Sequence, residues 1–463
     1  MSRPPQSTSR RDFLRASLLT GTVFGAPAAL AQNATRKSAA AQGKARNVIF
    51  MVSDGMNHGA LSLASHYRQV TGGKPLHWLQ LYRERPAVRA LMETFSASSI
   101  VTDSAAAASA WGAGVRVANG VINQDAGGKR LTPLHDKLRK AGRKTGLVTT
   151  ATVTHATPAG FAASVSSRGQ EADIAAQYLQ GKVDVLLGGG RKFFKPELLA
   201  GFAAADYQHI TNRSELLKAP AAEGKAVLGL FADGYHPYAI DHANVPDLRE
   251  RIPTLAEMTT AALARLESAA GGFFLMVEGA RIDHAGHAND VAASVHEQLA
   301  FDDAIGAALT WLDKNPDTLL IITTDHGCGG IQMNGVNAGA GQGFAPGIYN
   351  ATTASFKMLE TFRRSVEWMQ QQKLDALSGA KLAEAIEQHT GLKLSAEQTA
   401  AAQGLKRGYI DLVSKTTGTG WTGGNHTADL VEFCAMGPGC ELFPAFLRND
   451  EVHAHLLKAM DVA

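Results

Sequence analysis

The sequence predicts an α/β fold of three layers, with helices covering both faces of a large, mostly parallel central sheet and with one inserted cap region. Three observations lead to it. Apolar runs of strand length recur along the chain, and each is followed by a segment with helical spacing. The runs are continuously apolar rather than alternating, as strands buried on both faces are, and amphipathic helices supply the crossovers that parallel pairing needs. The composition, 463 residues with 45% hydrophobic and 19% charged, is enough to bury a substantial core in a single large α/β unit.

The first element is a leader. Ser9-Arg10-Arg11-Asp12-Phe13-Leu14 opens a stretch that turns apolar at Ala16, runs to Leu30 and closes on Ala29-Leu30-Ala31. Paired arginines, apolar stretch and small-x-small cleavage site stand in the order of a twin-arginine signal peptide over residues 1–31, followed by a linker over 32–45. An ordinary Sec signal or a basic tail is the alternative. The expected destination is periplasmic or secreted, through the twin-arginine export machinery. No later run approaches the twenty or so apolar residues of a membrane span, so no membrane anchor is expected. Arg3, Arg10, Arg11, Arg15 and Asp12 of the leader account for the chain's net charge of +3. The remainder is near neutral, which gives no reason to expect a nucleic-acid partner.

Val48–Val52, Gly146–Thr150, Val183–Leu187, Phe273–Val277 and Leu319–Thr323 are the predicted strands, with the clearest helices at Pro253–Ala269 and Asn289–Leu312. The catalytic domain is expected to span 46–463. From Gly329 to Thr422 the rhythm breaks into glycine-rich loops over 335–347 and three polar helical patterns ending at Lys406. An insertion at 331–421 is expected, either a cap over the site or a peripheral lobe. Cys434 and Cys440 are close enough to bridge, although buried thiols are favoured for all three cysteines, and no CxxC spacing is present.

Polar outcrops follow the strands, where parallel sheets bind ligands. They are Ser53-Asp54-Gly55, the segment from Glu278 to His287, and Thr324-Asp325-His326-Gly327, while Gly423-Gly424-Asn425-His426 precedes the strand-like Leu430–Phe433. Each alone reads as a cap or turn. Together, clustered carboxylates repel one another and mark cations. Asp283 and His287, four apart, point the same way from a helical turn, and Asp325 and His326 can address one centre. Imidazole with carboxylate suits a catalytic zinc, and Thr157 with Glu278 offers the hard oxygens that magnesium takes. Ser104 opens an alanine-rich helix, so its hydroxyl sits at the positive helix end, although a plain N-cap reads the same way.

Asp103-Ser104-Ala105 resembles the nucleophile motif of the alkaline phosphatases. His155-Ala156-Thr157-Pro158-Ala159 resembles their magnesium segment, with Arg168 at the matching distance downstream, and the remaining metal segments follow in the same order. The resemblance covers the mature chain apart from the insertion. It implies a phosphomonoesterase with Ser104 as nucleophile, Arg168 gripping the phosphoryl group, and Asp103, His155 and His284 in support. It further implies two Zn2+ and one Mg2+: one zinc on Asp283, His287 and His426, a second on Asp54, Asp325 and His326, and magnesium on Asp54, Thr157 and Glu278. The implied substrates are small phosphate monoesters, hydrolysed through a phosphoserine, and a homodimer is implied as possible. His155 and His284 depart from the enterobacterial pattern of Asp and Lys. Cys328 matches no family role. The competing reading is a diesterase or sulfatase of the same superfamily, but no C/S-x-P-x-R motif surrounds Ser104.

Overall fold

Ten strands make one sheet in the computed structural model, which describes residues 44–218, 225–334 and 353–462 and the backbone of short paired strands at 336–337 and 349–350. The expected signal peptide, nearly all of the linker and most of the glycine-rich stretch at 335–347 lie outside the described residues. The strands are β1 (Asn47–Val52), β2 (Val88–Glu93), β3 (Lys144–Thr152), β4 (Val185–Gly189), β5 (Gln208–Ile210), β6 (Val227–Leu230), β7 (Phe273–Glu278), β8 (Thr318–Thr323), β9 (Val431–Met436) and β10 (Phe446–Arg448). Their spatial order is β10-β2-β9-β8-β1-β7-β3-β4-β6-β5. Only β9 runs against its neighbours. The central strands β1, β7 and β8 are buried along their whole length and apolar through their middles because both faces are covered.

The helices that matter for the site are α1 (His58–Val70), α2 (Ser104–Ala113), α3 (Ala156–Ala162), α4 (Leu255–Leu266), α5 (Arg281–Ala288), α6 (Val291–Leu312), α7 (Val366–Gln371) and α8 (Glu451–Ala459). Successive residues of β1 serve opposite faces. Ile49 and Met51 join the core built with α1, α4 and α6. Phe50 turns the other way, with its ring 5.2 Å from Trp111 of α2 and 5.5 Å from Phe161 of α3.

The alanine-rich composition of α2 has a packing reason. A Cβ on Gly112 would stand 1.8 Å from the carbonyl oxygen of Gly160, and one on Gly160 would stand 2.4 Å from Cβ of Ala108. Side chains larger than methyl would push α2 and α3 apart. Asn123 closes the joint by donating from Nδ2 to the carbonyls of Gly160 (2.7 Å) and Ala163 (2.8 Å).

The insertion contributes helices at Thr353–Lys357, α7, Gly379–Thr390, Ala396–Ala401 and Arg407–Thr417. Its apolar side chains, among them Phe356, Leu382, Ile386 and Tyr409, belong to the same core as Ile49 and Met51. Three consecutive residues tie it to the rest of the fold. Ser365 donates from its N–H (2.9 Å) and hydroxyl (2.5 Å) to Asp241, and Val366 N–H donates to Asp290 at 2.7 Å. Glu367 then accepts from Arg281 at the start of α5. One edge of the insertion therefore lies against the helix that carries Asp283 and His287. Cys328, Cys434 and Cys440 are all buried free thiols.

Candidate active site

The carboxyl ends of four adjacent strands, β8, β1, β7 and β3, converge on one place. Asp54 follows β1, Glu278 ends β7, Asp325 and His326 follow β8, and His155 and Thr157 follow β3. Parallel register brings them level, since Val52 pairs with both Glu278 and Thr323. Gly55 then allows a close approach. Its φ is +75°, and a Cβ there would lie 2.6 Å from Cα of Asp283, so only glycine lets α5 sit beside Asp54.

Asp54, Glu278 and Asp325 are fully buried and Asp283 nearly so. Burial, with Asp325, Asp283 and Glu278 nearby, raises the Asp54 carboxyl well above its ordinary range. Burial likewise raises Glu278. Asp283 goes the other way. Burial opposes its ionisation, but the hydrogen bond from His287 and the charges of His326, His287 and His426 hold it far below the usual range. The same bond raises His287 to about 9.

Three groups of donors emerge. In the first, Nε2 of His287 lies 3.3 Å and Nε2 of His426 lies 3.4 Å from the two oxygens of Asp283, and the two ring nitrogens are 3.1 Å apart. Nδ1 of His287 donates to the carbonyl of Gly424 and Nδ1 of His426 to that of Thr102, both at 2.8 Å. With both Nδ1 hydrogens committed, the Nε2 lone pairs face each other and Asp283. Only a proton or a metal cation between them removes that repulsion, and a carbonyl-anchored imidazole is the usual second contact of a metal-ligating histidine. In the second group, Nε2 of His326 lies 3.1 Å from Asp325 Oδ2 and 3.8 Å from Asp54 Oδ1. Ser104 Oγ stands 3.2 Å from the same nitrogen. In the third, ligand atoms of Asp54, His155 and Glu278 lie within 4.8 Å of one another.

The test of fit is the buried polar atoms left without partners. Both oxygens of Asp54, Oε1 of Glu278, Oδ1 of Asp283, Oδ2 of Asp325 and Oγ1 of Thr157 are buried and accept or donate no hydrogen bond. Such atoms are costly unless a cation takes them up. The donor sets match: imidazole and carboxylate in the first two groups, and in the third the carboxylates of Asp54 and Glu278 with the unpartnered Thr157 hydroxyl beside Glu278 and the His155 imidazole at the edge. The donors fit metal ions.

Beside these groups stands a row of cations and rings. Asp103 caps α2 through Ala106 N–H (3.0 Å), and its other oxygen accepts from Arg168 Nη1 at 3.0 Å and from Gly120 N–H at 2.9 Å. Arg168 Nη2 donates to Nε2 of His155 at 3.1 Å. Burial and Arg168 push His155 well down, leaving it neutral. His284 lies next, its ring 5.9 Å from His155 and 4.5 Å from Tyr235. Burial and Arg281 push it to about 3. All thirteen residues expected at the site are thus within this one cluster.

Sequence reasoning missed four contributors. Cys328 is buried, with its sulfur within 4.8 Å of donor atoms of Asp283, His287 and His426. Thr149 donates to Oε2 of Glu278 at 2.5 Å, and Arg281 and Tyr235 border His284. Arg281 lies inside the Glu278–His287 motif and was open to detection there. Thr149, inside a strand, was not.

The comparisons with known proteins agree with this geometry. A family model described as alkaline phosphatase matches residues 45–462. The chain is 32% identical to alkaline phosphatase 3 of Bacillus subtilis, over 96% of this chain and 94% of that protein. It is 32% identical to the alkaline phosphatase of Escherichia coli, over 64% of this chain and 73% of that one. The crystal structure of Thermus thermophilus alkaline phosphatase superposes with a TM-score of 0.81 at 31% identity, covering 95% of this chain and 96% of that one. With four strand ends, α2 and α5 converging as described and the match running almost end to end, the chain belongs to the alkaline phosphatase family.

Proposed function

We propose that this phosphatase hydrolyses phosphate monoesters through a phosphoserine on Ser104, with two zinc ions and one magnesium ion. The observation that carries the proposal is Ser104 Oγ at the first residue of α2, facing the second donor group across 3.2 Å. Asp283, His287 and His426 would hold one zinc, Asp54, Asp325 and His326 the other, and Asp54, Thr157 and Glu278 the magnesium. When bound, the ions supply Lewis acidity and neutralise charge at the phosphoryl oxygens.

The chain's own residues do the rest. A phosphoryl oxygen near Ser104 meets the free N–H groups of the first turn of α2, where anions are favoured. Arg168, held at one end by Asp103, offers its planar fork to two nonbridging oxygens. Neutral His155 and His284 line the same side and add donors without adding charge. Ser104 Oγ forms the new bond to phosphorus while the ester oxygen leaves as an alcohol, taking up the proton the serine gives away. Water then cleaves the Ser104–phosphate bond, releasing inorganic phosphate and restoring the hydroxyl.

The test is turnover of a chromogenic phosphomonoester with and without chelator. Chelation should abolish turnover, and zinc with magnesium should restore it. Acid-quenched enzyme should carry phosphate on Ser104, and Ser104→Ala should lose that label while retaining metal. Full turnover by metal-free enzyme, verified by elemental analysis, defeats the reading.

We also infer from Arg10-Arg11 and the cleavage-like Ala29-Leu30-Ala31 that the protein is exported folded, through the twin-arginine route. Replacing Arg10 and Arg11 by Lys should leave the precursor in the cytoplasm. Undiminished export of that variant, together with arrest when the Sec channel is blocked, reverses the inference.

A further inference from the structure

Arg281 opens α5 with only 2% of its side chain exposed. A guanidinium held that deep needs partners on every side. Outward, Nη2 donates to both carboxylate oxygens of Glu367 at 2.8 Å each. Inward, Nη1 donates to Nδ1 of His284 at 2.7 Å. The Arg281 Cζ stands over the Tyr238 ring, 3.9 Å from the centroid. Arginine has only donors, so Nδ1 of His284 is the acceptor in this contact. The ring's one N–H is then on Nε2, the nitrogen away from Arg281.

Glu367 is placed for this task by the insertion. The two residues before it are clamped on Asp241 and Asp290, both buried. Glu367 itself is 40% exposed, so a surface ion pair would contribute little to stability. Its partner, however, reaches a residue beside Asp283, Arg168 and His155. The contact therefore joins the insertion, whose described residues supply none of the donors in the three groups, to the phosphoryl side of the site.

We propose that Glu367 and Arg281 form a positioning relay through which the insertion holds His284 as an Nε2–H donor to the phosphoryl group at Ser104. The proposal rests on the phosphomonoesterase reading above and gives the insertion a part in turnover. Neither residue touches substrate. Glu367 fixes Arg281, Arg281 fixes the His284 ring, and the ring presents a hydrogen rather than a lone pair to a phosphoryl oxygen. The wrong tautomer would set a lone pair against that oxygen and repel it.

The decisive variant is Glu367→Gln, which keeps the shape, removes the charge and stands at a half-exposed position that tolerates change. Nitrogen-15 NMR of metal-loaded enzyme should show His284 as the Nε2–H tautomer in wild type and as a mixture in E367Q. The affinity for inorganic phosphate and kcat/KM on a chromogenic monoester should each fall about three- to thirtyfold, at unchanged metal content. In a His284→Ala background the same change should cost almost nothing more, because the relay then has no terminus. Two results overturn the proposal: a single, unchanged His284 tautomer in E367Q, or an equal loss with and without His284. Should wild type show no phosphomonoesterase activity, the functional reading fails separately, and the NMR and phosphate-binding arms still decide the relay.

Discussion

Arg168 reaches the site with both halves of its fork engaged, on Asp103 and on His155, so it is oriented before any ligand arrives. A monoester offers it two charged oxygens, whereas a diester has one of these esterified. Arg168→Ser should therefore lower kcat/KM for a monoester much more than for a matched diester. Losing a charged contact of this kind costs about 2–5 kcal/mol, toward the lower end for a group 30% exposed. Equal losses on both substrates would mean that Arg168 serves to hold its own loop and not to grip the phosphoryl group. Much at this scale was legible in the sequence. Asp283 and His287 stand four apart on a helical turn, and adjacent Asp325 and His326 leave a strand end together, so their convergence follows from backbone periodicity. The role of Glu367 was not legible. Its surroundings read as one more polar helix, and no local spacing reports which carboxylate of an insertion will meet a buried arginine 86 positions earlier.

Among the elements, the joint between α2 and α3 sets the distance from Ser104 to His155 and Thr157. Gly112→Ala places a methyl 1.8 Å from a backbone oxygen that cannot yield alone, so the helices must separate. The expected cost is about 1–3 kcal/mol in stability, with a loss of turnover larger than the loss of folded protein. Unfolding curves and kcat on the same sample check it. The far end of α2 is tied by His453 of α8, whose Nδ1 donates to the Trp111 carbonyl at 2.9 Å while Nε2 accepts from Lys137 at 2.6 Å. Burial, and then Lys137, push His453 to about 4. The folded ring therefore stays neutral where the unfolded one, near pH 6.5, takes up a proton. Stability from this contact is present above pH 6.5 and is lost as pH falls toward 4, on the order of 3 kcal/mol. His453→Gln should flatten the fall in Tm across that window, and an unchanged slope would assign the acid sensitivity elsewhere. The long apolar strands and α6 were readable from period and length. β2 was not, because Arg89 interrupts its apolar run, and β5 and β10 are only three residues long.

For the whole molecule, four buried carboxylates share one cluster, and their mutual repulsion opposes folding unless cations are present. Chelation should lower Tm by several degrees as well as stopping turnover, and re-addition of zinc and magnesium should reverse both. An unchanged Tm with activity lost would mean that protons compensate the charge as well as metals do. The doubly covered sheet was legible because continuous apolar strands have few other solutions. Its strand order was not, since nothing in β9 announces that it will run against its neighbours. That order bears on how the protein is made. β9 is the wedge between β2 and β8, yet it begins at residue 431, more than three hundred residues after β2 ends. Until residues 426–436 leave the ribosome, β2 has no seat in the sheet, the flank of β8 stands open and His426 does not yet exist. A nascent chain can hold Asp54, Glu278 and Thr157 in place while its first donor group is still one imidazole short. The late strand thus acts as a timer, delaying a competent catalyst until β9 has been made and exposing an apolar edge to aggregation for as long as the ribosome takes to arrive there.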